Sequence, residues 1–278
     1  MFFFVVQIFT GMLLLLYYNP TASGAHESVQ AIMTTISFGW LIRSVHVWSS
    51  HLMIVSLLIH LVSTFFMRAY RKPREMMWIG GVLQLLVALG FCFTGYLLPW
   101  DTVAYFATQI GVEISKSVPL IGEFVIRLLR GGDYVDDNTL RRFFALHILI
   151  LPLTILGLTL IHIILSQVKG TSTPQKTLAE KPAIPFFPNF LLRDIMAWTV
   201  ACMLLIMLVL LIPAGLGPKA EPYASAPAGI KPEWYFLPLY QTLKIFPATL
   251  FGVNGETIVN IFVAIFVLAM LMIPIIDG

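Results

Sequence analysis

Two stretches decide the reading of this chain: VHVWSSHLMIVSLLIH at residues 45–60 and LHILILPLTILGLTLIH at residues 146–162. Each is apolar enough to cross a membrane as a helix, and each carries a histidine near both of its ends. His46 and His60 are 14 residues apart; His147 and His162 are 15 apart. At about 1.5 Å rise per residue, about 21 Å separates the members of each pair, and about four turns bring them back near one face. Ionisable side chains inside a bilayer are costly and are kept for function. A polar core residue satisfied by its neighbours is the competing reading for any single histidine, but it gives no reason for two pairs at matched depth. Side by side, the two helices would present His46 with His147 at one level and His60 with His162 at the other. Bis-histidine ligation fills both axial positions of a haem iron, which suits electron transfer rather than oxygen chemistry. The unequal spacing has a local cause: Pro152 and Gly157 predict a kink or local rewinding that absorbs the additional residue. His51, on another face, and His26, in a loop, fit neither pair and read as structural.

Composition makes the same case. The 278 residues are 58% hydrophobic and 11% charged, where a soluble domain carries about a quarter charged; mean hydropathy is +0.88. Six apolar spans are predicted, near 1–18, 37–67, 76–98, 143–168, 194–214 and 257–276, each suited to about 30 Å of hydrocarbon. The fold class is therefore all-α and polytopic. A dihaem four-helix bundle is expected over 1–169, a proline-rich linker over 170–190 (Pro174, Pro182, Pro185, Pro188), and two further transmembrane helices over 191–278. Lys and Arg crowd 68–75 and 167–193 and are missing from 19–36. The basic loops are thus assigned to the cytoplasmic side, and 99–142 and 215–256 to the opposite, electropositive side. Residues 99–142, with an amphipathic helix near 118–130 and a Gly131–Gly132 break, are too long for a simple connection and are expected to cover a site.

The start, Met1–Tyr18, lacks the basic leader of a cleaved signal and reads as a span entered partway through; with only Asp277 and Gly278 after the last span, both ends read as truncated. Cys92 and Cys202 lie in different spans outside any CxxC pattern. Covalent haem attachment, a zinc site and a disulfide framework therefore lack support, and the chain has no cysteine set for an iron–sulfur centre. Without blocks of like charge or a basic stripe, nucleic acid is excluded as a partner.

Glycines repeat the histidine period. Gly81 and Gly95 are 14 apart on the third span; a flat macrocycle between helices needs a patch without Cβ atoms at each level, and Gly11 on the first span would serve likewise. Ordinary small-residue helix packing is the alternative. Arg43, three residues before His46, is placed to pair with haem propionates, or else to snorkel.

With SVHVW around His46, GYLLPWD at 95–101, RFFALH at 142–147 and PEWY at 232–235, the chain resembles the cytochrome b subunits of quinol:cytochrome c oxidoreductases over nearly its whole length. FGWLIRSVH, KPRE and the 15-residue spacing look more like the chloroplast-type branch, yet the four-helix and PEWY parts are fused as in the mitochondrial type. The resemblance implies a catalytic subunit of a multisubunit enzyme holding two b haems. Quinol is oxidised on the positive side and electrons pass through both haems to quinone on the negative side, contributing to proton translocation. Glu233 is implied as the group that takes a proton from quinol, with Tyr235 orienting the substrate. Tyr105, Phe106 and Ala107 correspond to a quinol-lining stretch, and Arg193 and Asp194 to a pair at the quinone-reduction site. Gln167 and Ser63 depart from the family: mitochondrial-type relatives carry a histidine at the first position and chloroplast-type relatives an arginine at the second. A Rieske-type iron–sulfur protein, a membrane cytochrome c subunit and a second copy of the chain are the implied partners, in a bacterial inner membrane. Two other functions remain open: a dihaem membrane anchor of a dehydrogenase, which leaves PEWY and the long 99–142 loop without a purpose, and a proton-coupled transporter, which gains nothing from depth-matched histidines.

Overall fold

The computed structural model describes residues 1–170, 172, 185–250 and 252–277. All six apolar segments form helices. In chain order these are α1 (Phe2–Leu15), α3 (Gly39–Phe66), α4 (Glu75–Leu97), α7 (Asp137–Ala145) running into α8 (Leu151–Lys169), α9 (Leu191–Leu211) and α11 (Gly255–Ile276). Five are long and apolar enough to cross a membrane; α1 is the shorter one, at 14 residues. Shorter helices fill the connections: α2 (Ala25–Thr34), α5 (Thr102–Lys116), α6 (Gly122–Arg130) and α10 (Leu237–Ile245), with a two-stranded ribbon pairing Thr249–Leu250 with Val253–Asn254. The proline-rich linker falls mostly outside the described residues, Pro174 and Pro182 among them.

Helix α1 packs along α3, α4 along α8, and α3 touches α4, while α9 lies against α3 and α11 against α4. Large apolar side chains stay exposed along the outer faces, Phe9, Ile59, Leu160, Leu210 and Phe266 among them. In water that would be a liability; against lipid it is the expected surface, since hydrocarbon is as apolar as the helices themselves.

Between α7 and α8 the helix passes through a π-helical turn, Leu146–Ile150, that contains His147. Such a turn carries one more residue than an α-turn. Pro152, with no N–H, cannot donate to the carbonyl four residues earlier. The rewinding predicted from Pro152 is therefore present, and it accounts for 15 residues on this helix doing the work of 14 on α3.

Among the described residues, 19–36, 99–142 and 215–256 share one end and the basic 68–75 turn lies at the other, as their charges predict. At one end, Lys219 bonds Glu27 at 2.5 Å, His26 bonds the Gly217 carbonyl at 2.9 Å and Ala22 N–H donates to Asp137 at 2.7 Å; residues 19–36, 99–142 and 215–256 meet there. At the other end Asp277 takes Tyr70 O–H at 2.5 Å and Arg71 at 2.9 Å. The long 99–142 segment is helical and packs into a core with its neighbours: Trp100, Val112, Ile126 and Leu140, with Ala25, Leu97, Phe143 and Ala220 around them, are nearly or fully buried. Gly131, in the left-handed region at φ +78°, ends α6, where a Cβ would meet Arg142. Arg142 uses that gap to donate to the Arg127 and Leu128 carbonyls at 2.9 and 2.7 Å, satisfying the last acceptors of the helix. A short backbone pairing fastens the two halves of the chain: Thr102 N–H donates to Pro218 O and Ala220 N–H to Trp100 O, at 2.9 and 3.0 Å.

Candidate functional site

His46 and His147 come together as their spacing predicts. His46 on α3 and His147 in the π-turn face each other with ring centres 6.4 Å apart. That separation leaves room for a metal that both rings would hold through a nitrogen, at bonds of about 2 Å. At the other level His162 lies against Gly80 and Gly81 of α4, and His60 is exposed on α3.

Hydrogen bonds fix the ring tautomers at the first level. The Thr10 hydroxyl donates to the Val6 carbonyl at 2.7 Å, so its oxygen is left to accept, and His46 Nδ1 lies 2.8 Å from it. Thr94 repeats the arrangement, donating to Gly90 O at 2.9 Å with His147 Nδ1 at 3.2 Å. Each Nδ1 therefore carries the proton, and each Nε2 keeps the lone pair that a metal needs. Gln7 ties the same helices, donating to His46 O and Ser49 Oγ at 2.6 Å each. The second level differs: His162 Nδ1 is buried and faces the Met77 backbone but makes no hydrogen bond.

The glycines read from the histidine period, Gly11, Gly81 and Gly95, each face a histidine. A Cβ on Gly11 would lie 3.4 Å from His46 Cε1, one on Gly81 3.6 Å from His162 Cε1, and one on Gly95 only 2.7 Å from His147 Cε1. Among the described residues no cluster of three or more His, Cys, Asp or Glu could hold a metal ion. A metal held by such a pair would need its remaining ligands from another group such as a macrocycle, and Gly11, Gly81 and Gly95 put no Cβ against the histidine rings. Arg43 is buried, and its Nη1 donates to the carbonyls of Ala214 and Gly215 at 2.9 Å each, leaving other guanidinium N–H groups for an acid.

Beside the His46/His147 level is an apolar cavity of about 240 Å³ between α4, α5 and the 230–243 segment. Its walls include Phe93, Tyr96, Ala107, Thr108, Pro232, Glu233 and Phe236. Glu233 is the one carboxylate among them, and the Thr108 hydroxyl is buried without a partner. Tyr235 turns away from the cavity onto Ile54, Ala88 and Cys92. Burial pushes its phenol well above the usual tyrosine range, with Cys92 and Glu233 adding to the effect. Tyr235 therefore stays protonated, a donor rather than a base.

Of the other residues singled out, Ala107 lines the cavity, whereas Phe106 lines a neighbouring open groove with Glu113 and Glu256. Tyr105 sits in the loop core, its hydroxyl on Val135 O at 3.0 Å. Arg193 and Asp194 are exposed in the first turn of α9, far along that helix from its Ile212 end. His51, read as structural from the sequence, instead contacts PEWY: Trp234 Nε1–H donates to its Nδ1 at 3.1 Å, and the Tyr235 ring is 5.9 Å away.

Comparison with known proteins agrees with this geometry. Residues 51–220 match the family described as cytochrome b(N-terminal)/b6/petB, and residues 219–277 match cytochrome b(C-terminal)/b6/petD. The chain is 46% identical over 280 residues to a cytochrome bc complex cytochrome b subunit of Chlorobaculum thiosulfatiphilum, covering 100% of this chain and 64% of that protein. It is 34% identical to a cytochrome b of Rickettsia conorii over 90% of this chain and 64% of the relative. A cytochrome b6 of Prochlorococcus marinus is 40% identical over 62% of this chain and 78% of the relative. The chain thus spans 64% of the length of the first two. Among solved structures, a chain of a hyperthermophilic respiratory Complex III superposes with a TM-score of 0.87 at 30% identity, over 98% of this chain and 72% of that one.

Proposed function

Because this chain belongs to the cytochrome b family, we propose that it is the transmembrane electron-transfer subunit of a cytochrome bc complex, oxidising quinol at the Glu233 cavity. The observation that carries the reading is the placement of that cavity at the same end of the bundle as the His46/His147 level. Two b haems, when bound, supply one-electron carriage between the two faces of the membrane. His46 and His147 would hold one and His60 and His162 the other, with Gly11 and Gly95 clearing the first gap and Gly81 the second. The free N–H groups of Arg43 would pair with a propionate.

The residues around the cavity do the proton chemistry. A quinol ring fits the apolar walls, and the Glu233 carboxylate accepts a hydroxyl proton as the electrons leave. Tyr235 holds the segment against α4 and keeps its own proton. On the opposite side, Arg193 and Asp194 present a cation beside a carboxylate at the membrane surface, a pairing suited to delivering protons to reduced quinone. We assign the dihaem part to residues 1–169, the joining segment to 170–190 and the second part to 191–278. The first electron acceptor is a separate iron–sulfur subunit of Rieske type, with a membrane cytochrome c beyond it, in a homodimeric complex of the bacterial inner membrane. Quinol-driven reduction of a c-type cytochrome by the intact complex tests this reading; a complex that holds two haems yet leaves the cytochrome oxidised contradicts it.

Two further outcomes follow from the geometry. Thr10→Val removes the acceptor on His46 Nδ1, making the ligand a weaker donor and so favouring reduced iron. The potential of that haem alone should rise by up to about 40 mV, the one-electron equivalent of about 1 kcal/mol, in a redox titration. Gly95→Ala forces the His147 ring from its place, because 2.7 Å is closer than carbon atoms pack. Haem content should fall toward one per chain, whereas Gly81→Ala, with its Cβ at 3.6 Å, should do less harm.

A further inference from the structure

We propose that His51 is a positioning residue of the quinol site, holding the 232–236 segment in place through Trp234 only while its imidazole is neutral. The proposal rests on the quinol-oxidising reading above. Trp234 Nε1 has a hydrogen to give and no lone pair to accept with. His51 Nδ1, 3.1 Å away, must then be the unprotonated nitrogen, so the ring is neutral with its hydrogen on Nε2. Pro232, Glu233 and Phe236 line the cavity, and Trp234, between them in sequence, hydrogen-bonds them to α3 through His51, while Tyr235 packs on Ile54 of the same helix. The Tyr235 ring lies 5.9 Å from His51 and 5.2 Å from Trp234.

Protonation reverses this bond. An imidazolium carries a hydrogen on both nitrogens and cannot accept. A proton arriving from the aqueous face forms the Nδ1–H bond, and the Trp234 N–H···N bond is lost in the same event. Among the described residues, Glu233 and Tyr235 are the titratable groups that face His51; burial opposes a charge on its ring, and the Glu233 carboxylate favours one. The new positive charge therefore attracts the Glu233 carboxylate toward α3 and away from the cavity. Acid thus loosens the anchor and withdraws the base together.

The test uses the intact complex, assayed with a short-chain benzoquinol or naphthoquinol, whichever the wild type oxidises, across the range in which imidazoles titrate. Wild type should show a KM for quinol about five-fold higher on the acid side, the worth of one hydrogen bond. His51→Asn places an amide oxygen where Nδ1 stood and cannot be protonated there, so its KM should stay low throughout. His51→Leu and Trp234→Phe should each raise KM about five-fold at every pH, and the double variant should match either single one. His51→Asn retaining the acid-side rise, or both His51→Leu and Trp234→Phe keeping the wild-type KM, would overturn the proposal. A difference spectrum with both haems present verifies that each variant is assembled. Failure of the underlying reading looks different: the wild type would then oxidise no quinol at any pH.

Discussion

His60→Leu is expected to remove one of two haem signals and leave the other intact. On the proposed assignment the two levels share helices but no histidines: His60 would pair with His162, while His46 and His147 face each other beside Thr10, Thr94 and their own glycines. About 21 Å of helix lies between His46 and His60, so a leucine at one level has no direct contact with the other. At the altered level His162 would stand alone, already lacking a hydrogen-bond partner on Nδ1, with nothing to hold an iron from the opposite side. The pyridine haemochrome content should fall from two per chain to one, with the remaining component unshifted in potential. Loss of both haems, or of neither, would refute the assignment of ligands to levels.

Glu233→Gln is expected to slow quinol oxidation about 100-fold, the lower range of what a positioned base contributes, while both haems remain. Glutamine keeps the size and the hydrogen-bonding reach of the side chain but has no basic oxygen, so it separates proton acceptance from packing. The cavity is otherwise apolar on the sides set by Phe93, Ala107 and Phe236, which leaves no second carboxylate in its walls to take over. The measurement is the pre-steady-state rate of haem reduction by quinol. An unchanged rate would remove Glu233 from the proton path and leave it a structural residue of the turn.

The histidine levels were legible in the sequence because hydropathy marks the spans and helical period fixes the face. Pro152 likewise announced the rewinding that the π-turn at Leu146–Ile150 supplies. The partners of the histidines were not legible. Thr10 and Thr94 are ordinary residues of apolar helices, and they meet His46 and His147 across 36 and 53 residues. No periodicity reaches that far. His51 was passed over for the same reason: its partner Trp234 lies 183 residues on, and only the folded chain brings PEWY to α3. Resemblance treated Tyr105, Phe106 and Ala107 as one stretch, but successive residues on a helix point about 100° apart. The structure accordingly sends Tyr105 to the core, Phe106 to the groove and Ala107 to the cavity.

The central claim is that this bundle holds two haems at two levels between its two histidine-bearing helices. A reduced-minus-oxidised spectrum of the purified complex, titrated potentiometrically and normalised to this chain, tests it most directly. Two one-electron b-type components per chain with separate midpoint potentials are expected. A single component, or none, would contradict it.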